Sequence, residues 1–343
     1  ITDIIYGFDE LIYAVDKGTE EIIAYNESML ELARIKIPGV TDVMQDRSLD
    51  LLALGTVDTT INGIEYKLAA IYRLGLKNDN YGIKNAVVKH KVVHPFYNNS
   101  LTGVKLSDND VRFTGIALVD GNYYYVSRTG SNNASGQLGG TDDAMLVFTS
   151  RDFYESRMQV ALAGGAGLSA DFFKSPVGLV GFKQPPQQGT VLSNAFAYIS
   201  NSLTEPLKVK VMAYSVIEGI PTYALDQSLV VGDTSLADGF LYTPSRFKNP
   251  TDISFSGDGT QLYFICDAGK DSVYVFSNTG LEGVNPPARS KSRKRINVSF
   301  GGNGNGLLQF NQPSAIAYRE KILYVADAGN KRILRFKLTT DFK

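Results

Sequence analysis

The 343-residue sequence has no tryptophan, one cysteine, two histidines and five methionines, and each scarcity removes a class of chemistry. With Cys266 as the only thiol, no internal disulfide can form. Its neighbours Phe264 and Ile265 place it in an apolar strand, so it reads as an inert core residue. A nucleophilic role needs a histidine beside it, and the sequence places none there. His90 and His94 lie in AVVKHKVVHP, whose alternation is that of a strand. Four residues of strand set them about 13 Å apart on one face. Zinc ligands stand about 2 Å from their ion, so the two histidines cannot share one and read as packing or surface residues.

Long apolar runs are missing as well. No stretch approaches the roughly 20 apolar residues that span a bilayer as a helix, and none keeps a long 3.6-residue apolar period. A net charge of −1 gives no global field for nucleic acid or an anionic membrane. The glycine-rich stretches GGAGLSADF and GGNGNGLLQF lack the Gly-Lys-Ser/Thr ending of a phosphate loop and lead into no helix. No nucleophile elbow of the form G-x-S-x-G is present.

The chain is rich in aromatics, with 19 Tyr and 18 Phe, and in glycine, with 33, and these residues recur in register. LIYAVDKGTEEIIAY (Leu11 to Tyr25) and ILYVADAGNKRILRF (Ile322 to Phe336) share Tyr, Asp, Gly, Ile and an aromatic at identical spacings. QLYFICDAGKDSVYVF (Gln261 to Phe276) repeats the phrase with one residue inserted before Asp267. Each copy is two β-rich runs about a short turn, a hairpin in which Asp is expected to accept turn amides and Gly to supply a positive φ. A single hairpin cannot bury its apolar face, so such units must pack on one another.

Upstream of the hairpins a second phrase recurs: a glycine-rich loop, an aromatic anchor, then a proline opening a strand. It reads Gly301, Gly302, Phe310, Pro313, Ile316 in one copy, and Gly164, Gly165, Phe173, Pro176, Leu179 in another. Without the double glycine it is Phe247, Pro250, Ile253. Together the two phrases resemble the NHL repeat. That resemblance implies an all-β, six-bladed β-propeller closed into a single ring, one domain over residues 1–343.

Six inner strands align at Thr2-Asp3-Ile4, Thr41-Asp42-Val43, Thr114-Gly115-Ile116, Val177-Gly178-Leu179, Thr251-Asp252-Ile253 and Ser314-Ala315-Ile316. They set blades at about 1–40, 41–107, 108–165, 166–235, 236–302 and 303–343. Length alone suggests two domains, and the repeat overrides it. The chain opens on Ile, which suggests that a leader or tag has been removed. Little sequence follows Phe336. A fourth strand of blade six is therefore expected from upstream of Ile1, or as a strand donated by a partner.

Asp3, Asp42 and Asp252 occupy one aligned position in inner strands. In a propeller these carboxylates would converge near one channel mouth, where oxygen ligands from several strands suit a hard cation such as Ca²⁺; propeller lactonases hold a metal in such a channel with acidic and amide ligands. The alternative is that each Asp caps its own turn. NHL-type enzymes similar to peptidylglycine lyases use several histidines as metal ligands, which this chain lacks.

Two loops look like elaborations. Ser127 to Asp143 is polar and expected to be exposed, the usual place of a variable binding surface, with Arg128, a candidate partner contact, where other copies have Asp. NPPARSKSRKRIN carries Arg289, Lys291, Arg293, Lys294 and Arg295, a candidate contact for an acidic partner. It has no aromatic for stacking on bases, so nucleic acid is disfavoured.

With no catalytic constellation, the sequence points to a non-enzymatic protein-binding scaffold, a docking or capping subunit of a larger assembly. One alternative is a lactonase-like metal hydrolase built on the three aspartates, and another is a propeller that binds a small ligand or glycan. No resident cofactor is expected beyond that channel cation. The trimmed start and the loops rich in Asn, Gly and Tyr favour a bacterial envelope, periplasmic or surface location, with peripheral or anchored membrane association.

Overall fold

The computed structural model describes residues 1–76, 82–95, 104–119, 123–130, 143–148, 159–163, 173–182, 195–230 and 232–338. Six antiparallel sheets follow one another along the chain, each an up-and-down meander. The first comprises β1 (Asp3–Tyr6), β2 (Ile12–Asp16), β3 (Glu21–Tyr25) and β4 (Glu31–Lys36). The second comprises β5 (Asp42–Gln45), β6 (Leu51–Ile61), β7 (Ile64–Gly75) and β8 (Val87–Val93). In the third are β9 (Arg112–Leu118), β10 (Tyr124–Thr129), β11 (Ala144–Phe148) and β12 (Gln159–Ala163). The fourth holds β13 (Pro176–Gly181), β14 (Phe196–Ser200), β15 (Val209–Ile217) and β16 (Ile220–Leu225). The fifth holds β17 (Pro250–Phe255), β18 (Leu262–Asp267), β19 (Ser272–Ser277) and β20 (Phe300–Gly301). The sixth, three-stranded among the described residues, is β21 (Pro313–Arg319), β22 (Ile322–Asp327) and β23 (Arg332–Lys337). This is the six-bladed β-propeller class.

The chain divides into two compact units, 1–179 and 180–343. In the first, β1 packs on β5 and β5 on β9; in the second, β14 packs on β17 and β17 on β21. First strands of successive sheets are thus neighbours from the first sheet to the third and from the fifth to the sixth, and the core lies between sheet faces. Tyr13, Val15 and Ile22 of the first sheet meet Val43, Leu51 and Ile71's neighbour Tyr72 of the second. In the second unit Phe264, Val273 and Val275 meet Ile316, Tyr318 and Val325. Cys266 sits in this latter cluster, fully buried, its thiol pushed up by burial.

The repeated phrase has a structural cause that differs in part from expectation. The turn glycines Gly18, Gly269 and Gly329 do not carry the positive φ. That role falls two residues later, on Glu20 (58°), Asp271 (47°) and Lys331 (54°). At Gly269 and Gly329 glycine is required by crowding instead. A Cβ on Gly269 would stand 2.9 Å from the Asn249 amide nitrogen, and one on Gly329 2.5 Å from the Asn311 carbonyl oxygen. The backbone leading to the first strand of the sheet lies directly on the turn, with Ala268 N donating to Asn249 O and Gly329 N to Asn311 O.

The aspartate secures that crossing. Buried Asp267 accepts from the amides of Lys248 (2.7 Å), Asn249 (2.9 Å) and Gly269 (2.9 Å). Asp327 accepts from the amide of Asn311 and from the side chains of Asn330 and Arg332. The anchor aromatic completes the clasp. Phe247 packs on Phe276 at 5.9 Å and Phe310 on Phe336 at 6.0 Å between ring centroids. These are the two recurring phrases of the sequence touching each other. Gly164 and Gly165 lie outside the described residues.

Replacing Asp267 by Ala strands three amide donors, two of them on the segment that precedes β17. Such losses cost about 3 kcal/mol or more in total. Asp16 accepts only within its own exposed turn, from Gly18 and Thr19, and Asp16→Ala is expected to cost about 1 kcal/mol or less. Urea unfolding of the two variants checks the contrast.

Candidate functional site

The three aligned aspartates were expected to face a cation or to cap their own turns. Two of them instead reach across to the next sheet. Asp3 Oδ2 accepts from Val43 N at 2.9 Å, and Asp252 Oδ2 accepts from Ile316 N at 2.7 Å. The other oxygen of Asp252 accepts from Ile253 N at 2.7 Å. Val43 and Ile316 hold the same place in their inner strands. The preceding threonines add a parallel tie: Thr2 Oγ1 donates to Thr41 O (3.0 Å), Thr114 Oγ1 to Pro176 O (2.5 Å) and Thr251 Oγ1 to Pro313 O (2.8 Å).

At the third sheet Gly115 replaces the aspartate, and a Cβ there would lie 3.0 Å from the Leu179 Cβ and 3.1 Å from Leu179 N. Asp42 is half-buried at the start of β5. Among the described residues no three His, Cys, Asp or Glu side chains stand together in a group that could hold a metal ion.

A second tie joins the far ends of the inner strands. Gln45 Nε2 donates to Asp9 Oδ2 at 2.8 Å, and the Tyr318 hydroxyl to Asp258 Oδ2 at 2.6 Å. Each aspartate lies in the first turn of the preceding sheet. Among the described residues neighbouring sheets share no strand ladder, so these carboxylates satisfy inner-strand amides and side chains that would otherwise be buried without partners.

Burial moves Asp3 in the opposite direction from most protein carboxylates. Desolvation, only partly offset by the Val43 and Ile4 amides, raises its pKa to about 7. Between about pH 4 and 7 the folded chain therefore holds a proton that the unfolded chain has released. Stability falls as pH rises through that window and levels off above it. Asp3→Asn keeps an acceptor for Val43 N and cannot ionise. Its unfolding free energy is expected to lack this pH 4 to 7 component, amounting to a few kcal/mol, as read by urea titration at several pH values.

Arg128, expected on an exposed loop, is a correction. It is fully buried within β10, paired in register with Phe113 and Ala144, and cannot meet a partner at the surface. The strand runs further than its polar residues suggested. Loop residues 131–142 lie outside the described residues.

The histidines behave as packing residues. His94, just past β8, is buried with Nε2 2.7 Å from Asp108 Oδ1. Burial lowers its pKa, while Asp108 opposes the shift. Sequence reading missed a buried ion network in the second sheet, where Arg73 bonds Asp46 (2.6 Å) and Asp50 (2.8 Å) and Lys89 bonds Asp50 (2.7 Å). These partners are up to 39 residues apart, so no local pattern could join them.

The basic run divides by role. The loop springs from a two-bond bridge between Val284 and Ile296, between β19 and β20. Arg295 folds back on the Gly283 carbonyl and Asn285, and Lys294 pairs with Asp238 at 2.5 Å. Arg289, Lys291 and Arg293 stand exposed, with no ion pair among the described residues.

No family model and no curated protein matches the chain. Solved structures match its fold. An auxiliary nutrient binding protein from Bacteroides thetaiotaomicron aligns with 13% identity and a TM-score of 0.54, over 95% of this chain and 65% of that one. Its counterpart from Bacteroides ovatus aligns with 12% identity and a TM-score of 0.52, over 96% and 66%. A protein provisionally assigned as a gluconolactonase aligns with 11% identity and a TM-score of 0.52, over 97% and 86%. The chain thus spans about two thirds of each nutrient binding protein, and at these identities the likeness is one of propeller fold.

Proposed function

We propose that this chain is a non-enzymatic, NHL-like propeller that docks an acidic protein partner, as a docking or capping subunit of a larger assembly at a bacterial envelope. The observation that carries the reading is the division of charge. The aspartates that a channel cation would draw on are engaged by strand amides at Asp3 and Asp252. Arg289, Lys291 and Arg293 are exposed cations with no ion pair among the described residues. Desolvating cations cost least opposite an acidic surface, and such complementarity governs association rate and specificity. Likeness in fold to Bacteroides nutrient binding proteins fits an extracytoplasmic binding module. No described helix is long and apolar enough to cross a membrane. Among the described residues no strand pairs with the outer edge of β23, which leaves room for a donated strand.

The competing reading is a lactonase-like hydrolase with a divalent cation at Asp3, Asp42 and Asp252. Elemental mass spectrometry of protein purified without chelator separates the two. We expect no stoichiometric ion; one that disappears in an Asp42→Asn, Asp252→Asn double variant would overturn the binding reading. In envelope fractions, zero-length carbodiimide coupling is expected to give a discrete adduct through Lys291 that Lys291→Arg abolishes. Coupling that ignores this substitution would remove the loop from the interface.

A further inference from the structure

Strands β19 and β20 pair over only Ser272↔Gly301 and Val273↔Phe300. Beyond that the edge of β19 is covered by the segment carrying the basic loop, through Gly283 N to Val275 O (2.7 Å) and Val275 N to Ser299 Oγ (3.1 Å). Between them is a cavity of about 300 Å³ lined by Arg246, Tyr274, Glu282, Asn297, Ser299 and Phe300. Glu282 and Asn297 flank the Val284–Ile296 bridge, so the cavity lies at the root of the loop.

The acceptors of this cavity are already occupied. Glu282, 3% exposed, accepts from Ser299 Oγ and from Arg246 Nη2. Asn297 Oδ1 accepts from Ser299 N. Donors remain. Among the described residues the Arg246 guanidinium bonds only Glu282, and its buried Nε–H has no acceptor. Its plane is held 4.9 Å from the Tyr274 ring centroid. The Asn297 side-chain amide has no acceptor among the described residues either. A cleft with spare side-chain donors, occupied carboxylate and amide acceptors and three exposed cations on the loop rooted beside it suits a planar oxyanion.

We propose that this cleft is a carboxylate-binding subsite. A Glu or Asp side chain from the partner's acidic segment enters it and accepts from Arg246 and Asn297, while flanking carboxylates meet Arg289, Lys291 and Arg293. The proposal rests on the docking reading above. Arg246 then stands between two carboxylates, and the loop cations offset the second charge.

The test uses fluorescence anisotropy with a labelled peptide of five Glu-Gly repeats and its Gln-Gly counterpart. The acidic peptide is expected to bind at least about tenfold more tightly. An Arg289→Ser, Lys291→Ser, Arg293→Ser variant should weaken it and flatten its salt dependence. Asn297→Asp, which keeps the bond to Ser299 N but adds a negative charge at the cleft, should weaken it about tenfold. The paired change Arg246→Gln with Glu282→Gln leaves no buried lone charge and should do the same while the thermal midpoint confirms folding. If the loop variant loses binding and both cleft variants bind as wild type, the subsite is overturned and the docking reading stands. If the wild type does not prefer the acidic peptide, both fall.

Discussion

Among the described residues no hydrogen-bond ladder joins one sheet to the next, and that constraint shapes much of what the polar residues at the junctions do. Strand amides inside a sheet are satisfied by the neighbouring strand. The residues that start an inner strand, and the segments that cross from one sheet to the next, must find partners elsewhere or be buried with unmet donors. Aspartate suits the task, because one short side chain offers two acceptor oxygens and can serve two or three amides at once. Asp3 and Asp252 bind the next inner strand, while Asp267 and Asp327 bind the incoming segment to the hairpin turn. Threonine supplies the matching donor to the facing carbonyl.

This division of labour explains why the repeat is visible where it is. In the fifth and sixth sheets the recurring residues have roles set by one shared local geometry. The turn aspartate, the glycine pressed against a crossing backbone and the anchor phenylalanine all meet partners within their own unit of repeat. Their spacing is therefore constant and legible. The fold class followed from them. The glycine was legible as a position but not as a mechanism, since positive φ and steric crowding both demand the same residue, and only coordinates tell Gly329 from Lys331.

The candidate sites were less legible because their partners are distant in the chain. An aspartate beside a threonine at a strand start looks the same whether it holds a cation, its own turn or a strand 40 or 64 residues away. Arg128 looked like a loop residue because flanking polar residues masked a strand that buries it. The basic run was plain in sequence, yet among the described residues two of its five cations, Lys294 and Arg295, have partners. The cleft at its root left no trace, since Arg246, Glu282 and Asn297 are brought together across 51 residues.

A fold that relies on carboxylates for its internal joints also limits where its surface can gain function. Changing an Asp at a sheet junction risks the joint before it alters any binding, so acidic positions are poor places for new chemistry. The exposed tip of the loop between β19 and β20, with Arg289, Lys291 and Arg293, carries no such duty among the described residues. In the fifth sheet the fourth strand is only two residues long, and the loop that replaces it anchors itself with Arg295 and the Val284–Ile296 bridge. Three cations, Arg289, Lys291 and Arg293, are thereby left exposed on a loop whose root is fixed. The same excursion that cost the sheet a full outer strand opened the cleft beneath it, so surface charge and cavity share one structural origin.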